Sequence, residues 1–136
     1  MKKTILACLL LVLTVIGCKK DNKSESFNYD LNDLYGTWRV TEVLSSGTWI
    51  DVTTWAGQQV FTPTYATFYS DGTYSGSGYF GNGSGTYKAI GNTIYTYVDG
   101  SEYLKYTILS FSGNKCHLKM GQAGSSTTIE IKCTKQ

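Results

Sequence analysis

The chain has 136 residues and a formal net charge of +2, with sixteen per cent charged and fourteen per cent aromatic residues, fifteen glycines, one proline and one histidine. Non-specific nucleic-acid binding needs a clear excess of Lys and Arg to neutralise phosphates, and so small a surplus does not supply it. One histidine is a poor start for a metal centre, so neither a metal nor a cofactor is expected.

At the N-terminus, Met1-Lys2-Lys3 is a basic start, followed by thirteen mostly apolar residues from Thr4 to Ile16. A membrane-spanning helix takes about 20, so the run is a signal-type segment rather than a span. It ends in Val15-Ile16-Gly17-Cys18. That ending resembles the lipobox of bacterial lipoproteins, with an aliphatic residue three before the cysteine and a small residue just before it. The resemblance implies that residues 1–17 are removed and that Cys18 becomes the lipid-bearing N-terminus. Lys2 and Lys3 then leave with the signal, and the remaining ten basic and ten acidic side chains cancel. Lys19, standing where a retention aspartate would, implies an outer-membrane anchor in the cell envelope, with its leaflet left open.

Residues 18–33 read as a lipidated N-terminus and tether: polar, without aliphatic periodicity, and closing in one helical turn that Asp30 can cap. Residues 34–136 read as one domain, within the usual size range, and a monomer is expected. Tyr, Thr, Ile and Val between frequent glycine turns argue all-β. Eight strands are expected, near 36–44, 65–70, 73–79, 84–90, 93–98, 103–111, 115–120 and 127–134, with a short extra strand around 48–53.

Tight turns fix which residues face each other. A turn at Gly124-Ser125 pairs Met120 with Ile129, Leu118 with Ile131 and Cys116 with Cys133 on one apolar face. Lys119 then faces Glu130, and His117 faces Lys132, on the polar side. A turn at Gly113-Asn114 pairs Phe111 with Cys116, Leu109 with Leu118 and Thr107 with Met120. Asp71-Gly72 puts Tyr69 opposite Tyr74, and Gly91-Asn92 puts Ala89 opposite Ile94. Cys116 and Cys133, opposed in an oxidising compartment, are expected to form a disulfide, worth about 3 kcal/mol in the chain-entropy model.

Gly36-Thr37-Trp38 opening the first strand, Ala66 to Tyr74 around an Asp-Gly turn, Gly91 to Ile94 and Tyr106 to Phe111 together resemble the lipocalin-like domain of small Gram-negative lipoproteins. The resemblance spans about residues 34–134. It implies an eight-stranded antiparallel up-and-down β-barrel with an interior site for a small, mostly apolar ligand. Two departures argue against a deep cavity. The sole arginine, Arg39, lies beside Trp38 rather than late in the chain, so Lys132 or Lys135 must cover that tryptophan without a flat guanidinium. No C-terminal helix follows the last strand.

The turns sort the barrel ends. Gly36, Trp38, Phe111, Cys116 and Cys133 belong to a closed end. The opposite mouth receives the 45–64 connection and the glycine-rich 80–85 segment. Binding favours loops on a rigid scaffold, so the ligand-binding candidates are Trp49, Trp55, Tyr79 and Phe80, with Tyr103 and Met120 lower in the wall. Glu42 shares parity with Trp38 and faces inward, where it could fix a polar ligand group, unless a bulge turns it out. No phosphate loop follows the glycines. His117 points outward, and no nucleophile, base and acid converge, so no enzyme is expected. Two functions follow as expectations: binding of a small hydrophobic ligand at the mouth or, with a filled barrel, display of the loops to an envelope protein or other macromolecule.

Overall fold

The computed structural model describes residues 26–136. The signal segment 1–17, the lipidation residue Cys18 and residues 19–25 lie outside the described residues. Helix α1 (Leu31–Leu34) is a single turn, capped by Asp30, whose carboxylate accepts a hydrogen bond from Asn32 N–H at 2.9 Å. The strands are β1 (Gly36–Ser45), β2 (Thr48–Asp51), β3 (Tyr65–Phe68), β4 (Thr73–Ser77), β5 (Gly83–Ile90), β6 (Thr93–Val98), β7 (Ser101–Ser112), β8 (Lys115–Gln122) and β9 (Thr128–Lys135). Helix α2 (Trp55–Val60) lies between β2 and β3, and a 3-10 turn, Gly78–Phe80, follows β4.

Strands β1 and β3–β9 pair in antiparallel sequence, and β1 pairs with β9 to close an eight-stranded barrel. Strand β2 is a ninth, paired with the second half of β1. Alternation fills the interior: Trp38 and Val40, Ala66 and Phe68, Leu104, Tyr106 and Ile108, Cys116, Leu118 and Met120, Ile131 and Cys133 are all buried. Closure leaves the ring of strands without a free edge to manage.

The last hairpin has the expected register: Cys116 faces Cys133, Leu118 faces Ile131 and Met120 faces Ile129. Ala89 faces Ile94, and Phe111 faces Cys116, also as expected. Beyond Phe111 the register changes. A bulge between Ile108 and Ser110 puts Ile108 opposite Leu118 and Tyr106 opposite Met120, leaving Leu109 exposed. One inserted residue reverses side-chain parity, so Leu109 and Thr107 are not the inward pair. The turn at Asp71-Gly72 is also longer than two residues: Phe68, not Tyr69, faces Tyr74. There Asp71 accepts hydrogen bonds from both the hydroxyl (2.6 Å) and the N–H (2.9 Å) of Thr73.

The disulfide is corrected as well. Cys116 and Cys133 are opposed but are free, buried cysteines. Burial pushes the Cys116 thiol up to about 12 and raises that of Cys133 further. The thiolate is the species that forms a disulfide, and this apolar setting suppresses it. The pair packs instead as two small core side chains.

Trp38 closes one end of the barrel. Its Nε1 donates to the Leu34 carbonyl at 2.8 Å, and its ring meets Phe111 edge-on at 5.5 Å. Lys135 Nζ lies 5.5 Å from the indole centroid, supplying the cationic cover. The described part of the stretch read as a tether lies against this end. Phe27 bridges to Gly91, and Tyr29 stacks on Phe111 at 5.3 Å.

Candidate functional site

The barrel interior is nearly full. Its cavity measures about 30 Å³ and is lined by apolar groups including Trp38, Phe68, Ile94 and Leu118. That exceeds the space one water needs but falls an order of magnitude short of small-molecule pockets, which start at about 300 Å³. Within this core the Tyr106 hydroxyl is buried with no hydrogen-bond partner among the described residues. Burial, reinforced by Tyr74 and Cys133, raises its pKa well above the ordinary tyrosine value. Thr96, by contrast, is fully satisfied: its hydroxyl donates to the Leu104 carbonyl and accepts from the Leu104 N–H, both at 2.9 Å.

At the mouth the Gly78–Phe80 turn dips into the barrel. Phe80 is only 3% exposed and meets Tyr106 edge-on at 5.4 Å. The backbone allows this because Gly78 and Gly81 take φ of +74° and +85°, values that only glycine adopts without strain. A Cβ on Gly78 would also collide with Pro63 O and Thr64, and one on Gly81 with the Tyr103 hydroxyl. Phe80 therefore acts as a stopper: its ring borders the interior cavity on one side and an outer groove on the other.

Two open grooves flank the stopper. One, of about 410 Å³, is lined by Phe61, Tyr79, Leu104, Met120 and Ile129 together with polar rim residues such as Gln122. Phe61 and Tyr79 pack with ring centroids 4.4 Å apart, and Tyr79 remains 53% exposed. The other, of about 400 Å³, runs between Tyr74, Phe80, Tyr103, Asn82 and Asp99. Helix α2 carries Trp55, 79% exposed, and Val60, also exposed. It is capped by the Thr54 hydroxyl, which accepts from Gly57 N–H at 3.0 Å.

Among the sequence candidates, the structure brings Tyr79 and Met120 together in the first groove and Phe80 and Tyr103 in the second. Trp49 lies elsewhere. On β2 it packs against the outer wall, with Lys132 Nζ 4.2 Å from its ring centroid and His117 edge-on at 5.3 Å. Glu42 also faces out. A bulge between Val40 and Glu42 reverses its parity, its side chain is 40% exposed, and Lys132 Nζ lies 4.0 Å away. His117, outward as expected, contacts Glu130 at 2.6 Å. Among the described residues, no group of three or more His, Cys, Asp or Glu is arranged to hold a metal ion.

Phe61, Leu104 and Ile129 were missed. Ile129 was legible, since the last hairpin already sets it opposite Met120. Leu104 was hidden by the bulge in β7, and Phe61 by its place in a connection without strand alternation.

Residues 34–118, more than half of the chain, match the family model described as a lipocalin-like domain. The chain belongs to the lipocalin-like domain family. A search of curated proteins and a search of solved structures each gave no match. Lipocalin-like membership and a closed antiparallel barrel suggest small-ligand binding as the general function of the chain.

Proposed function

We propose that this lipocalin-like chain is a non-enzymatic, lipid-anchored binding protein that holds a small, mostly apolar ligand in its mouth rather than in its interior. The observation that carries the reading is the contrast between an interior of about 30 Å³ and a groove of about 410 Å³ floored by Met120, Leu104 and Ile129. The larger volume falls in the range of ligand sites with apolar walls and a few polar rim groups. The anchor in this reading is a lipid on Cys18, and the location is the outer membrane of a bacterial envelope.

Native mass spectrometry of the full chain purified from its own membrane tests the ligand. A co-purifying apolar molecule, lost in Tyr79→Ala, is the expected result. A chain that carries nothing and binds no lipophilic fluorophore would overturn it. Labelling with radioactive palmitate, abolished by Cys18→Ser, tests the anchor.

A second reading is supported by the mouth surface. Trp55 and Val60 on helix α2 and Tyr79 on the Gly78–Phe80 turn are all exposed, and exposed aromatics of this kind serve protein interfaces. In that case the loops present themselves to an envelope partner, and Trp55→Ala abolishes partner capture while leaving fluorophore binding intact.

A further inference from the structure

The described N-terminus is fastened at the end of the barrel opposite the mouth. Gly91 N–H donates to the Ser26 carbonyl at 2.9 Å, and Asn28 N–H donates to the Gly91 carbonyl at 2.8 Å. Phe27 meets Tyr29 edge-on at 5.4 Å, Tyr29 stacks on Phe111, and Phe111 meets Trp38. The turns at Gly91 and Gly113 and the contact of Lys135 with Trp38 belong to the same closed end. The grooves, helix α2 and the Gly78–Phe80 turn belong to the other.

We infer that, held by a lipid on Cys18, the barrel stands with its closed end toward the bilayer and its mouth grooves opening into the aqueous space beyond. The inference rests on the anchor reading above and adds a direction to it. Only residues 19–25 separate Cys18 from Ser26, and eight Cα steps reach at most about 29 Å even when fully extended. Strand β7 has twelve residues, about 40 Å along its length, or about 30 Å along the axis of a barrel whose strands tilt by about 40°. An inverted barrel would spend nearly all of that reach running back along the wall, whereas a closed end toward the bilayer leaves the whole connection free to meet it. Along the wall, Lys88 on β5, Lys105 on β7 and Lys119 on β8 all stand exposed, which disfavours laying those strands against lipid tails. The consequence is functional: ligand or partner meets Trp55, Tyr79 and Met120 from the water side, not from the leaflet that carries the anchor.

The test uses the lipidated full chain in phosphatidylcholine vesicles doped with a headgroup-spin-labelled lipid. Single cysteines are introduced as Ser112→Cys at the closed end and Ser126→Cys at the mouth, both exposed sites, and are labelled with an environment-sensitive fluorophore. Native Cys116 and Cys133 are buried, so they stay unlabelled in the folded protein. The expected result is quenching at position 112 and none at position 126. Equal quenching at both, or stronger quenching at 126, overturns the orientation while leaving the anchor intact. Loss of vesicle binding on Cys18→Ser confirms the anchor separately. A wild-type chain that neither takes up palmitate nor stays with the vesicles overturns the anchor reading, and the orientation falls with it.

Discussion

The ring of Phe80 stands edge-on to that of Tyr106, their centroids 5.4 Å apart, and this contact separates the barrel interior from its mouth. Removing the stopper should join the small cavity to the outer groove. Phe80→Ala is expected to cost about 3 kcal/mol of stability, as for other buried phenylalanines cut to alanine, and to raise binding of a lipophilic fluorophore. Phe80→Leu keeps an apolar plug and should show neither effect in full. Urea titration and fluorophore titration on the same samples check both.

Tyr106 offers the opposite kind of substitution. Its hydroxyl is buried and unbonded among the described residues, so it carries a desolvation cost with no return. Tyr106→Phe removes that atom and keeps the ring against Phe80 and Phe68. It should stabilise the fold by about 1 kcal/mol, seen as a higher urea midpoint at unchanged slope. A loss of stability would mean that a bonding group reaches the hydroxyl in solution.

Trp49 separates wall from mouth. Its ring is held by Lys132 and His117 on the outside of the barrel. Trp49→Phe should cost about 1 kcal/mol, the scale of one partly exposed cation–π contact, and leave fluorophore affinity unchanged. Tyr79→Ala should do the reverse. If Trp49→Phe weakens binding as much as Tyr79→Ala, the groove has been assigned to the wrong residues.

Alkaline pH should unfold this protein early. Both thiols ionise near 9 when free, whereas burial pushes Cys116 up to about 12 and Cys133 higher. Their contribution to stability is full below pH 9 and is lost as pH rises toward 12, because the unfolded chain gives up protons that the folded one keeps. The slope approaches about 1.4 kcal/mol per pH unit for each thiol. Burial also pushes Tyr87 up to about 12, adding to the loss above pH 10. Urea midpoints measured from about pH 8 to about pH 11 should fall, and fall less steeply in Cys116→Ala/Cys133→Ala. Thiol reagents should report two reactive groups from this pair only after unfolding.

Much of the barrel could be read from residue patterns because apolar and polar residues alternate cleanly in β8 and β9. Leu118 with Ile131 and Lys119 with Glu130 leave one register that segregates the two classes. The pattern failed where one residue is inserted. Ile108 and Leu109 are equally apolar, so alternation does not say which turns inward, and the bulge decided for Ile108. Glu42, two residues after Val40, turns outward for the same reason, the alternative that its strand parity had left open. The candidate site was half legible. Tyr79, Phe80, Tyr103 and Met120 were identified by strand order and loop position. Trp49 was misplaced because the short hairpin of β1 and β2 folds it against β8 and β9, a contact that no local spacing encodes.

The family match begins at residue 34, yet the aromatic column that seals the closed end starts seven residues earlier, at Phe27. A fragment cut at the family boundary would leave one face of Phe111 bare, and Gly91 would lose both backbone hydrogen bonds that join it to Ser26 and Asn28. The unit that folds is thus longer than the unit that is recognisable by descent, and expression of the isolated domain should start at or before Ser26.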